Sequence, residues 1–214
     1  LKSGCHSPKM PVTGQGQMKI LVVAEAPGQE EDKRNIQLIG PAGQLFREVL
    51  ADFGLNLDRD CRKTNAVRCR PPNNRAPTRM EIAACRSHIW DEIKEHPPKL
   101  ILLLGQVAVE AFFFDRIKPI GTIGRWRGFV IPDQRAGCWV CPTYHPSYIL
   151  RSQEGRDIRW KYQPLESVEE LTFQRDIENA LNYLNKPFPV APVPKIWHPE
   201  TIITQKEMAI DYET

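Results

Sequence analysis

Glu25 and Glu31 are the first side chains in this chain whose setting suggests chemistry. They follow a continuous apolar run, residues 20–24, across the break Ala26-Pro27-Gly28, and Glu30 and Asp32 flank the second of them. Proline removes an amide hydrogen, and glycine permits close backbone approach. A buried strand that ends in a rigid turn carrying carboxylates is where an open α/β sheet places its ligand. Far downstream, Thr143-Tyr144-His145-Pro146-Ser147 sets an imidazole just past another strand. Asn65 adds an amide that both donates and accepts hydrogen bonds. The chain also holds six cysteines. Without a secretory signal, they point to a reducing compartment and to metal or cluster ligation rather than a disulfide framework.

The elements that must position these groups follow from periodicity. Residues 1–16 are rich in turn formers and read as an irregular arm. Gly43 opens a helix with Phe46, Val49, Leu50 and Phe53 at helical spacing, and Gly54 stops it. Residues 64–69 read as a second strand, running into the irregular stretch Arg70-Pro71-Pro72-Asn73-Asn74-Arg75-Ala76-Pro77. Thr78-Arg79-Met80-Glu81 is a capping box for a helix that puts Ile82, Cys85, Ile89 and Ile93 on one face. Residues 100–104 form a third buried strand, followed by a helix over 106–114. Residues 129–132 and 139–143 are further strand candidates. Ser167 begins a last long helix striped by Phe173, Ile177, Leu181 and Leu184.

Strands alternating with helices predict a three-layer α/β/α domain over residues 1–185 around a central, mostly parallel, four-stranded sheet. Loops leaving the strand C-terminal ends gather on one edge of such a sheet. That edge brings Glu25, Asn65 and His145 together from distant parts of the chain. Cys138 and Cys141 have CxxC spacing, but on a strand residues i and i+3 point to opposite faces, so both read as core. Residues 186–203 form a proline-spaced linker, and residues 204–214 a new strand ending in carboxylates.

Composition sets the outer bounds. The 214 residues are 41% hydrophobic and 26% charged, which fits a water-soluble globular domain. No apolar run spans a membrane, and the expected location is the cytoplasm. Leu1-Lys2-Ser3-Gly4 reads as an internal start, with residues upstream. A net charge of +3 permits a nucleic-acid partner without demanding one.

Three motifs then line up with one family. Ala24-Glu25-Ala26-Pro27-Gly28 with Glu31-Asp32 resembles the first motif of family 4 uracil-DNA glycosylases. Thr64-Asn65-Ala66-Val67-Arg68-Cys69-Arg70-Pro71-Pro72, followed by Asn74-Arg75-Ala76-Pro77 and Cys85, resembles that family's cysteine-bearing segment. His145-Pro146-Ser147-Tyr148-Ile149-Leu150-Arg151 resembles its histidine motif. The resemblance runs in order over residues 5–185. Asp211-Tyr212-Glu213-Thr214 is similar to the first motif of 3′–5′ exonuclease domains of DNA polymerases, so a longer polymerase chain is an expected partner.

The resemblance implies excision of uracil from DNA by hydrolysis of its N-glycosidic bond after base flipping. His145 would donate to the uracil oxygen on which charge grows. Asn65 would read the base edge, and Glu25 or Glu31 would hold water or face the cationic sugar. Ala26 replaces the aspartate of other uracil glycosylase families, so it is no base; it belongs with the uracil pocket. An aromatic ring usually lies under the base, where this chain has Leu38, and Ala24 replaces a glycine. The DNA contacts implied are Pro27, Gly28, Arg70, Arg75, Ser147 and Arg151, with Arg68, Arg156 and Arg159 as further basic candidates. Cys69, Cys85 and Cys5 would be ligands of a [4Fe-4S] cluster. The alternative is a catalytically inactive glycosylase-like module that binds DNA or senses uracil for a polymerase.

Overall fold

The computed structural model describes residues 9–117, 119–153 and 167–190. Cys5, Arg156, Arg159, most of the linker and the exonuclease-like tail lie outside them. In chain order the elements are β1 (Ile20–Ala24), α1 (Gln29–Arg34), α2 (Pro41–Asp52), α3 (Leu57–Asp60) and β2 (Cys61–Asn65). Next come α4 (Arg79–Cys85), α5 (Ser87–Glu95), β3 (Leu100–Leu104) and α6 (Gln106–Phe113). The last are β4 (Ile131–Asp133), β5 (Cys138–Thr143), α7 (Pro146–Gln153) and α8 (Val168–Leu181).

The described strands form one sheet in the order β2-β1-β3-β5-β4. The first four in that order run parallel, with Ala24 beside Asn65 and Leu104 beside Thr143 at their C-terminal ends. The sheet therefore has five strands where four were expected. The fifth, β4, overlaps the 129–132 candidate and pairs antiparallel with β5 at the edge, where a three-residue segment containing Pro132 is tolerated because it needs only one partner. β1 and β3 are buried along their whole length. Alternate residues feed two cores, as period-two geometry requires. Ile20, Val22 and Leu102 pack with Phe46, Phe173 and Ile177 on one face. Leu21, Val23 and Ile101 pack with Ile82, Ile89 and Phe112 on the other. This is the three-layer α/β/α arrangement.

Several local expectations shift. The acidic turn is itself helical, because Gln29–Arg34 forms α1 with Gly28 at its N-cap. The second strand is Cys61–Asn65, not 64–69, so Asn65 ends it rather than beginning it. Helix α2 begins at Pro41, a position that suits proline, rather than at Gly43. Gly43 lies inside that helix and is buried; a Cβ there would sit 2.0 Å from the Leu38 carbonyl oxygen. The capping box forms at Thr78 and Glu81, but the helix breaks at Arg86 into α4 and α5. Cys141 joins the first core and Cys138 the second, on opposite sheet faces. Among the described residues no helix is long and apolar enough to cross a membrane.

Candidate active site

A cleft of about 550 Å³ opens at the C-terminal edge of the sheet. The three loops leaving β1, β2 and β5 bring Glu25, Asn65 and His145 into its wall, with Leu38 and Arg151 beside them. Parallel strands place these ends side by side: the Ala66 amide donates to the Ala24 carbonyl at 2.8 Å, and the Val67 amide to the Glu25 carbonyl at 3.1 Å. On the far side, the Gly105 amide donates to the Thr143 carbonyl at 2.8 Å. The Thr143 hydroxyl donates to Asp176 of α8 at 2.9 Å, which fixes the exit of β5. Gly105 has a φ of 87°, and a Cβ there would lie 2.9 Å from the His145 Cβ. The bare glycine backbone is what lets the imidazole sit against β3.

His145 is held in one tautomer. The Ser147 amide donates to its Nδ1 at 3.2 Å. Arg151 Nη1 donates to Ser147 Oγ at 3.1 Å, which directs the Ser147 hydroxyl hydrogen to Nδ1, 2.8 Å away. With Nδ1 accepting, the proton of a neutral imidazole belongs on Nε2. Burial, and then the charge of Arg151, push the His145 pKa down from 6.5 to about 4. The group is therefore a neutral Nε2–H donor at physiological pH.

This depression has a measurable consequence. Between pH 6.5 and about 4 the unfolded chain binds a proton at His145 that the folded chain refuses. Stability then rises with pH across that window and is lost as pH falls through it. His145→Gln should flatten this part of the profile; denaturant titrations of parent and variant at a series of pH values check it by difference.

Asn65 is buried, and its backbone carbonyl accepts from His88 Nε2 at 2.8 Å. Its side-chain Nδ2 donates to Gln37 Oε1. Burial raises the Glu25 pKa, opposed by Arg151, so Arg151 is the cation shared by Glu25 and His145. Glu31 lines the cleft, but one of its oxygens accepts from the amides of Ile39 and Gly40 at 3.1 and 2.7 Å. Its carboxylate therefore braces the Leu38 loop. Leu38 is 7% exposed with φ at 54°, a left-handed backbone that costs a branched side chain energy. The loop spends that strain on turning an apolar side chain into the cleft wall.

Ala26, Pro27, Gly28 and Ser147 also line the cleft. Arg75 lines it too, while its guanidinium makes two bonds to Glu81, at 2.8 and 2.7 Å. Arg75, with backbone and hydroxyl bonds from Thr78, holds the Glu81 pKa down to about 2. Arg70 lies outside the cleft lining and donates to Asn74 Oδ1 at 2.7 Å. Arg68 Nε donates to the Met10 carbonyl at 2.6 Å. Gln37 and Gly105 have no role in the sequence reading. A glycine directly after a buried strand was the available signal for Gly105; Gln37 had none.

The thiols divide by setting. Burial pushes Cys61, Cys138 and Cys141 up to about 12, so they stay protonated and make poor metal ligands. Cys69 and Cys85 are half-buried. The Arg68 amide donates to Cys85 Sγ at 3.2 Å. The arm reaches the same place, because the Met10 amide donates to the Arg68 carbonyl at 2.8 Å. Among the described residues no group of three or more His, Cys, Asp or Glu side chains is placed to hold a metal. The bond from the Arg68 amide brings Cys85, at the end of α4, to the residue that precedes Cys69, so two half-buried thiols lie at one stretch of chain, the donor chemistry that part of a cluster site needs.

An open α/β sheet with a cleft at its C-terminal edge, walled by an imidazole, an amide and a carboxylate, defines a class of ligand-binding α/β proteins. Comparison with known proteins narrows this. Residues 11–169 match the family model for the uracil DNA glycosylase superfamily, and the chain belongs to that superfamily. It is 39% identical to a type-4 uracil-DNA glycosylase of Thermotoga maritima over 160 residues, 74% of this chain and 81% of the relative. It is 37% identical to the type-4 enzyme of Pyrobaculum aerophilum over 147 residues, 67% and 74% of the two chains. It is also 29% identical to a DNA polymerase of Bacillus phage SP01 over 149 residues, 69% of this chain but 15% of that one.

Proposed function

We propose that this domain excises uracil from DNA. The observation that carries the reading is the convergence, in one cleft, of an Nε2–H imidazole and an amide of fixed orientation. Breaking the C–N bond leaves the sugar cation-like and the departing uracil negative. A flipped base, extruded at a cost of about a few kcal/mol, would meet Asn65 with its O4 and N3–H and His145 with its O2. Donation from a neutral His145 stabilises the oxygen as charge grows, and no proton need be transferred. Glu25 faces the sugar, holding a water or countering the cation. Arg151 opposes the burial-driven rise of the Glu25 pKa, adds to the burial-driven fall of the His145 pKa, and positions Ser147. Ser147 and the backbone at Pro27 and Gly28, which line the cleft, and Arg70, which lies outside that lining, are the proposed phosphate contacts.

Leu38 gives the base an apolar neighbour but no aromatic face. Release of free uracil from single-stranded DNA by the parent protein tests the reading, with Leu38→Phe beside it. The phenylalanine inherits the same backbone geometry, and base–aromatic stacking should raise the single-turnover rate about five- to tenfold.

Cys69, Cys85 and Cys5 are the proposed holders of an iron–sulfur cluster, which when bound supplies a rigid thiolate-linked crosslink between arm and loop. Five residues of extended chain span at most about 18 Å, enough for Cys5 to approach the loop from Met10. The parent should contain iron and absorb in the visible range, and Cys85→Ala should lose both; an iron-free parent from anaerobic preparation contradicts the assignment. The relation to a phage polymerase favours a setting in which the domain is attached to replication machinery and meets exposed template. Retention of DNA binding without any uracil release would instead support a recognition module.

A further inference from the structure

We infer that Gln37 is a positioning residue that sets the discrimination between uracil and cytosine by fixing which way the Asn65 amide faces. The inference rests on the uracil reading above for its ligand, and on three hydrogen-bonded groups for its logic. The Pro11 carbonyl can only accept, so Gln37 must turn Nε2 toward it, and this bond is 3.1 Å. Gln37 Oε1 then faces Asn65, and Asn65 must answer with Nδ2. The remaining Nδ2 hydrogen and Oδ1 are left for the cleft as a donor beside an acceptor. That order matches uracil O4 and N3–H. The reversed order would match cytosine, whose amino group donates and whose N3 accepts.

The lock is built to hold. Gln37 is 1% exposed and Asn65 2%, so little water competes for the bond between them. Pro11 sits between two backbone anchors. Met10 is bonded to Arg68 at 2.8 Å, and Thr13 exchanges bonds with Lys63 at 3.1 and 2.7 Å. The orientation of a base-reading amide is thus set by an arm that touches no base.

Gln37→Met keeps the length and removes both bonds. Gln37→Glu, neutral when buried, keeps an acceptor toward Asn65 and a hydroxyl toward Pro11. Binding of free uracil and free cytosine is followed by NMR titration of each protein, together with hydrogen exchange of the Asn65 side-chain amide. In Gln37→Met the uracil-over-cytosine preference should fall about tenfold and Asn65 Nδ2 exchange should quicken about tenfold, the bias one buried hydrogen bond can impose. Gln37→Glu should stay within about twofold of the parent in both, since its bonds are retained. Unchanged preference and unchanged exchange in Gln37→Met overturn the inference. If that variant does not fold, the parent alone decides: slow Asn65 Nδ2 exchange in the base-free protein supports the lock, and exchange as fast as that of exposed amides overturns it. A parent that binds no uracil defeats the uracil reading, while the exchange data still report on Gln37.

Discussion

Replacing His145 with alanine should lower the single-turnover rate of uracil release about 100- to 1000-fold, the usual loss when one donor to a developing oxyanion is removed. The loss belongs in the chemical step. The His145 donor gains strength only as charge moves onto the base, so binding of uncleaved DNA should change little. Its tautomer makes the prediction specific. Ser147, its hydroxyl held by Arg151, occupies Nδ1 and leaves Nε2–H as the donor. Ser147→Ala, which keeps the backbone amide bond but breaks the link to Arg151, should cost far less than His145→Ala. Single-turnover excision on a uracil-containing single strand reads all three proteins, and equal rates for parent and His145→Ala would remove the imidazole from the chemistry.

Asn65→Asp should be the more damaging change. The carboxylate puts one oxygen in the place of Nδ2, where it faces both Gln37 Oε1, to which the amide now donates, and the position at which uracil presents O4. Neither contact keeps a hydrogen. Sites built to hydrogen-bond a ligand reject the unmatched form by large factors, and kcat/KM for uracil should fall about 1000-fold or more. The cytosine amino group, by contrast, gains an acceptor, so the preference between the two bases should narrow. Competition between free uracil and free cytosine for the variant checks the second half. The same residual activity in Asn65→Ala and Asn65→Asp would show that only lost contact matters and that electrostatic mismatch does not.

The parts of this molecule legible from sequence are those written in local pattern. Runs such as Leu100-Ile101-Leu102-Leu103-Leu104 declare a strand buried on both faces, and the alternation of strands and helices declares the layers. The edge at which Glu25, Asn65 and His145 meet follows from that topology, because parallel strands deliver all their C-terminal ends to one side. The fifth strand's place was less legible, since a three-residue edge segment with a proline carries little periodicity. Glu31 illustrates the harder case. Its sequence position beside Glu25 marks it as a cleft carboxylate, and it does line the cleft. Its partners, the amides of Ile39 and Gly40, depend on how a loop with a left-handed leucine folds back. Gln37 was invisible for the same reason: its bonds run to residues 26 positions before it and 28 after it. Such contacts exist only once the arm, loop and strand are assembled.

The most direct test of the central claim is a crystal structure of the protein soaked with free uracil. The base should lie in the cleft against Leu38, with N3–H donating to Asn65 Oδ1, O4 accepting from Asn65 Nδ2, and O2 within hydrogen-bond distance of His145 Nε2. A saturating soak that leaves this cleft without uracil, or that seats the base with its O4–N3 edge turned away from Asn65, would contradict the account.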